Sequence, residues 1–202
     1  MADHLTGDTR TQHERMLAGD LYIADDPAIV EAQRRAQRLA FAYQQASVED
    51  SGKARIVLAE LLGELGTGAE IRPPLHVDYG SHLAVGEGTF VNFNLTALDV
   101  APIRIGRDCQ IGPNVQLLTP THPLEPQPRR DKLEAALPIT IGDNVWLGGG
   151  VIVLPGVTIG DDSVVGAGSV VTRDLPAGVV AVGNPARVVR SLYGTNDPGT
   201  EG

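Results

Sequence analysis

Aliphatic residues recur every six positions along much of this chain, and few folds use such a period. Counting from Tyr79, the register falls on Tyr79, Val85, Val91 and Ala97, then, after two extra residues, on Ile105, Ile111 and Leu117. A longer interruption follows, and it resumes at Ile141, Leu147, Val153, Ile159, Val165 and Val171. Gly comes next after Val85, Ile105, Ile111, Ile141, Leu147, Ile159 and Val165. A helix repeats at about 3.6 residues and a strand at about 2, so neither explains a step of six. A short strand plus a turn does, with three steps making one triangular coil. Each register residue points inward, while Cys109, Val115, Val145, Val151, Val157 and Ser163, four places on, fill the corners. The glycines are expected to supply corner conformations that a Cβ would oppose. The pattern predicts a parallel β-helix, whose repeats bury their apolar faces only by stacking.

The 202 residues suffice for one core domain and an extension. Residues 1–15 are polar and expected to be mobile, and 16–68 should be helical. Asp26-Pro27 reads as a helix cap and first residue, with Ile29, Ala36, Leu39, Ala40 and Tyr43 on one face to about Gln45. Ser51-Gly52 should end the connection before a second helix carrying Ile56, Leu58, Leu61, Leu62 and Leu65, stopped by Gly66 and Gly68. Two such helices would close the open end of the prism, where unpaired strands invite aggregation. The coil should run over 69–190, and the small polar tail 191–202 is expected to be disordered.

A net charge of −9 argues against nucleic acid or an anionic membrane as the main partner. Phosphate groups would therefore need a local cationic patch. The single Cys109 permits no internal disulfide and reads as packing, and with no long apolar run a cytoplasmic location is the default.

The interruption over 119–138 contains Thr119-Pro120-Thr121-His122-Pro123, whose prolines do not fit stacked strands. A loop leaving a rigid prism commonly carries binding or catalysis, and His122 can move a proton near neutral pH. A lone loop histidine is more often merely solvated. His76 and His82 fall on adjacent faces and His4 and His13 in the polar start, so no metal centre is expected.

Met16-Leu17-Ala18-Gly19-Asp20-Leu21-Tyr22, followed by Asp26-Pro27, resembles the amino-terminal signature of the maltose/galactoside O-acetyltransferases. Asn92-Phe93-Asn94, Leu98-Asp99, Ile111-Gly112-Pro113-Asn114-Val115 and Thr121-His122-Pro123 resemble that family's acceptor and catalytic region. Trp146, Pro155-Gly156-Val157, Gly166-Ala167-Gly168-Ser169 and Gly183-Asn184-Pro185-Ala186 resemble its coenzyme-binding half. The resemblance spans roughly residues 16–190.

It implies a left-handed parallel β-helix, a homotrimer with sites between subunits, and acetyl-CoA as donor. It implies that His122 is the general base for acetyl transfer to a hydroxyl of a small sugar acceptor. Asp25, Asp78, Asn92 and Asp99 would meet the acceptor or orient the imidazole. Trp146, Gly149, Ala167, Thr172 and Arg173 would lie along the coenzyme, with Arg187 and Arg190 on its phosphates. Family members carry Ser at the position of Gly149, so only a backbone amide can serve there. Galactoside enzymes carry an acid where this chain has Val100, which weakens a galactoside preference. The rivals are a hexapeptide acetyltransferase for another hydroxyl (lipo-oligosaccharide, antibiotic or serine) and a non-catalytic trimeric scaffold.

Overall fold

The computed structural model describes residues 7–193. Their core is a three-sided prism of short parallel strands. The first face stacks Glu64–Leu65, Leu83–Val85, Ile103–Ile105, Ile139–Ile141 and Thr158–Ile159. The second stacks Glu70–Ile71, Phe90–Val91, Gln110–Ile111, Trp146–Leu147, Val164–Val165 and Val179–Val182. The third stacks Leu75–Val77, Leu95–Leu98, Gln116–Leu118, Ile152–Val153 and Val170–Val171. Register partners such as Leu65, Val85, Ile105, Ile141 and Ile159 lie directly above one another and form the buried axis. Successive coils are one hydrogen-bonded step apart, about 4.8 Å.

Two details of the register differ from expectation. Val77, not Tyr79, occupies the strand position, pairing with Ala97. The two-residue insertion seen after Ala97 also occurs after Val77, and Tyr79 falls six before Val85 only because of it. The coil also begins earlier than residue 69, at Glu64–Leu65, where Leu65 pairs with Val85.

The glycines after the register residues are needed for space. A Cβ on Gly86 would stand 2.5 Å from the Gly106 carbonyl oxygen in the next coil, and one on Gly148 would stand 2.6 Å from the Ala167 nitrogen. The left-handed conformations come two residues later, at Gly88 (φ 67°), Asp108 (57°), Asn144 (54°) and Asp162 (59°). Asn and Asp tolerate this region and so can replace Gly there. They also bond along the corner, Asn144 donating to Asp162 at 2.7 Å.

The extension closes the first coil. Helix α1 (Gln12–Leu17) starts in a capping box between Thr11 and Glu14, and Arg15 is buried, paired with Asp8 and donating to the Leu21 carbonyl at 2.7 Å. Residues 7–15 are thus ordered by local caps and ion pairs, contrary to the mobility expected from their polarity. Helix α2 (Pro27–Glu49) is capped by Asp26 and buries Ile29, Ala36 and Tyr43, the Tyr43 hydroxyl donating to the Ile71 carbonyl. Helix α3 (Ser51–Leu61) follows at once, because Asp50 both ends α2 and caps α3 through Gly52 and Lys53. Ser51 and Gly52 therefore begin this helix instead of lying in a connection. Leu62 caps it and Leu65 already belongs to the prism, where the sequence pattern predicts helix for both. At the far end, Arg187–Ser191 turns back antiparallel to Val179–Val182 and closes the second face, so Ser191, expected in the tail, belongs to the closing strand. The rest of the expected disordered tail, 194–202, lies outside the described residues.

Candidate active site

Two of the concavities on the described residues hold the expected site residues. The first is a groove of about 480 Å³ along the second face and its corner with the third. Asn92, Trp146, Gly149 and Ala167 line it, joined by Phe90 and Gln110. Two things shape it: close-approach glycines at 112, 148 and 166, and outward Trp146, which is 56% exposed. The Gly148 amide donates to Val165 and the Gly150 amide to Pro113, whereas the Gly149 N–H has no partner among the described residues. Thr172, Arg173, Arg187 and Arg190 do not line the groove. They are exposed in the last coil of the prism and beyond it, the two later arginines on the antiparallel closing strand.

The second concavity, about 520 Å³, is built by the excursion and lined by Ile23, Ala24, Asp25, His122, Arg129, Lys132 and Glu134. The excursion leaves the third face after Gln116–Leu118, and Pro120–Thr121 pairs antiparallel with Ala135–Ala136. That two-strand stem sets His122 at its tip, while helix α4 (Pro126–Arg130) rounds the loop. His122 Nδ1 lies 3.3 Å from the Leu133 carbonyl oxygen, which can only accept, so the proton belongs on Nδ1 and Nε2 carries the lone pair. Nε2 faces Glu134 at 3.9 Å. Glu134 is in turn paired backbone to backbone with Tyr22, and Tyr22 is buried. Burial and the neighbouring Glu134 push the Tyr22 phenol far above its usual range, so it remains a neutral donor.

Sequence reasoning did not anticipate Glu134, and no spacing rule marks it; only its bridge to Tyr22 brings it to His122. Asp25 shares this pocket, as expected. Asp78 is half-buried nearby, and burial, then Asp99 and Glu134, raise its carboxyl to about 6. Asp99 is not in the pocket. It is fully buried, and both its oxygens are taken by backbone amides of Asp78 (3.0 Å), Tyr79 (2.9 Å) and His82 (3.1 Å). The expectation that Asp99 meets an acceptor is corrected: an acid in the right motif was turned inward to hold an insertion. Val100 is buried beside Met16, Tyr22, Ile29 and Tyr79. Cys109 is packing, its buried thiol donating to the Gly142 carbonyl at 3.1 Å. Among the described residues no group of His, Cys, Asp and Glu could hold a metal ion, and no helix is long and apolar enough to cross a membrane.

Comparison with known proteins identifies this six-residue coil as that of the hexapeptide-repeat acetyltransferases. The family described as bacterial transferase hexapeptide (six repeats) matches residues 138–173, and the maltose acetyltransferase hexapeptide capping motif matches 15–66. The chain is 49% identical to nodulation protein L of Rhizobium meliloti over 180 residues, covering 89% of this chain and 98% of that protein. The crystal structure of a maltose O-acetyltransferase from Clostridium difficile superposes with a TM-score of 0.89 at 40% identity, covering 92% of this chain and 99% of that one. A galactoside acetyltransferase in complex with coenzyme A gives 0.87 at 38% identity, covering 91% and 92%. The chain belongs to the maltose/galactoside acetyltransferase family, and its fold is that family's left-handed parallel β-helix.

Proposed function

We propose that this protein transfers the acetyl group of acetyl-CoA to a hydroxyl of a small sugar, with His122 as general base. The observation that carries this is the imidazole at the tip of the excursion, its Nδ1 proton committed to the Leu133 carbonyl and its Nε2 left to accept. A sugar hydroxyl attacks well only as its proton leaves. Nε2 takes that proton while the oxygen bonds to the thioester carbon, the C–S bond breaks, and the proton passes to the departing thiolate. Glu134, on the Nε2 side, would stabilise the transient imidazolium. No protein nucleophile is needed.

The donor assignment rests on the similarity to an acetyltransferase bound to coenzyme A and on the groove of Trp146, Gly149 and Ala167. The unpaired Gly149 amide would donate to the developing oxyanion. Thr172 and Arg173 would meet the distal part of the coenzyme. Arg187 and Arg190 would hold its phosphates, supplying the local positive charge that a chain of net charge −9 lacks. Asn92 and Asp78 would hydrogen-bond the acceptor, with Asp25 on the opposite wall.

The groove and the His122 pocket share no lining residue within one chain. A homotrimer that sets the groove of one subunit against the excursion of the next would complete the site. Val100, buried and apolar, disfavours a galactoside. A hydroxyl acceptor of another class is the second reading, motivated by the similarity to nodulation protein L.

The test is a screen of acetyl-CoA with maltose, glucose and a thiogalactoside, detecting free thiol. Turnover with maltose or glucose is expected. Absence of thiol release with every sugar would sink the sugar reading and favour the other acceptor class.

A further inference from the structure

Three insertions share one corner of the prism, between the third and first faces, and each is bonded to the next. The Asp99 side chain in the second holds the amides of Asp78, Tyr79 and His82 in the first. The Asp99 carbonyl also faces His82 Nδ1 at 2.8 Å. The Thr119 hydroxyl, at the root of the third, accepts from the Ala101 amide (3.0 Å) and donates to the Leu98 carbonyl (2.6 Å). The Thr119 carbonyl accepts from Leu137 on the returning arm, at 3.0 Å. A continuous chain of bonds thus runs from Asp78 to the strand that carries His122.

We propose that Asp99 is a positioning residue for the acceptor pocket: without touching the acceptor, it fixes where Asp78 stands relative to His122. This rests on the sugar-acetylating reading and deepens it. Three amides fill most of the acceptor sites of this carboxylate, and its complete burial leaves no path for a ligand to reach it. Its three donors come from one short insertion, whose first residue is Asp78. Charge reaches the same place. The groups that raise Asp78 beyond the effect of burial are Asp99 from below and Glu134 from the excursion, and the neutral phenols of Tyr79 and Tyr22 adjoin them. Asp78 is thus held as a neutral donor toward an acceptor hydroxyl through the mildly acidic range, and becomes an acceptor only above about 6.

The test pairs a carboxyl ¹³C NMR titration with steady-state kinetics on the sugar that the acceptor screen selects. Wild type should show a carboxyl titrating near 6 that disappears in Asp78→Asn. In Asp99→Asn that midpoint should fall, and the acceptor KM should rise about tenfold, with the acetyl-CoA KM within about twofold, as expected when one charged hydrogen-bonding partner is weakened. Asp99→Glu keeps the charge but displaces the insertion, so it should keep the midpoint near 6 while raising the acceptor KM. An Asp99→Asn protein with unchanged acceptor KM, or with both KM values raised alike, would overturn the assignment. If Asp99→Asn does not fold, a wild-type spectrum lacking the Asp78 titration overturns the electrostatic link by itself. Failure of every sugar to turn over counts against the function alone, and the titration still decides the role of Asp99.

Discussion

The corner between the third and first faces differs from the other two, although all three belong to one prism. At the other corners every register step is six, as in Leu65 to Ile71 to Val77 and Ile141 to Leu147 to Val153. At this corner the step is eight after Val77 and Ala97, twenty-four after Leu117, and six again after Val153. The strands on either side stay in register throughout, so insertions here cost no ladder hydrogen bonds. Regular corners leave a smooth trough suited to a long flexible ligand. The interrupted corner gathers the imidazoles of His82 and His122, the acids Asp78, Asp99 and Glu134, and the phenols of Tyr22 and Tyr79. On the function proposed, binding along a surface and chemistry at a point fall to different corners of one scaffold.

That division predicts unequal responses to substitution. Gly86→Ala forces a Cβ to 2.5 Å from a backbone oxygen in the next coil, and only the coil can move. Overpacking of this kind should destabilise by about 1–3 kcal/mol, read as a lower midpoint in urea.

A smaller effect, with opposite sign, is expected at the interrupted corner. The fold raises Asp78 above its ordinary 3.8, so it favours the protonated form. The associated stability is full below about 3.8 and is lost as pH rises through about 6. Asp78→Asn should therefore stabilise the protein at pH 7.5 by about 1–2 kcal/mol, a value discounted for partial exposure, and change nothing at pH 3. Thermal melts at the two pH values read the difference.

The smallest effect belongs to Gly149→Ser. A Cβ there meets Pro113 at 3.4 Å, ordinary contact, and the backbone has no left-handed requirement. Its melting temperature should stay within about 2 °C of wild type, since surface changes rarely exceed about 0.5 kcal/mol. The same substitution at Gly148, 2.6 Å from the next coil, should not be tolerated.

The prism was legible because a period of six has few structural explanations, and the excursion because its run of prolines breaks the six-residue register and does not fit the stacked parallel ladders. The start of the coil was not, since Leu58, Leu61, Leu62 and Leu65 also fit a helix; only pairing with Val85 assigns Leu65 to a strand. Tyr79 mimicked the register because the step before Val85 is eight. In the site, Asn92, Trp146, Gly149 and Ala167 were found together, as were Asp25 and His122. Asp99 failed because sequence does not tell which way an acid points, and Glu134 because a bridge to residue 22 has no local signature.

The most direct measurement is acetyl transfer by His122→Ala in a protein shown to be folded by its unchanged melting curve. Removing a general base should lower kcat by about 10²–10⁴-fold while leaving acetyl-CoA affinity nearly intact. A variant that turns over sugar at the wild-type rate would show that the imidazole takes no part in the reaction.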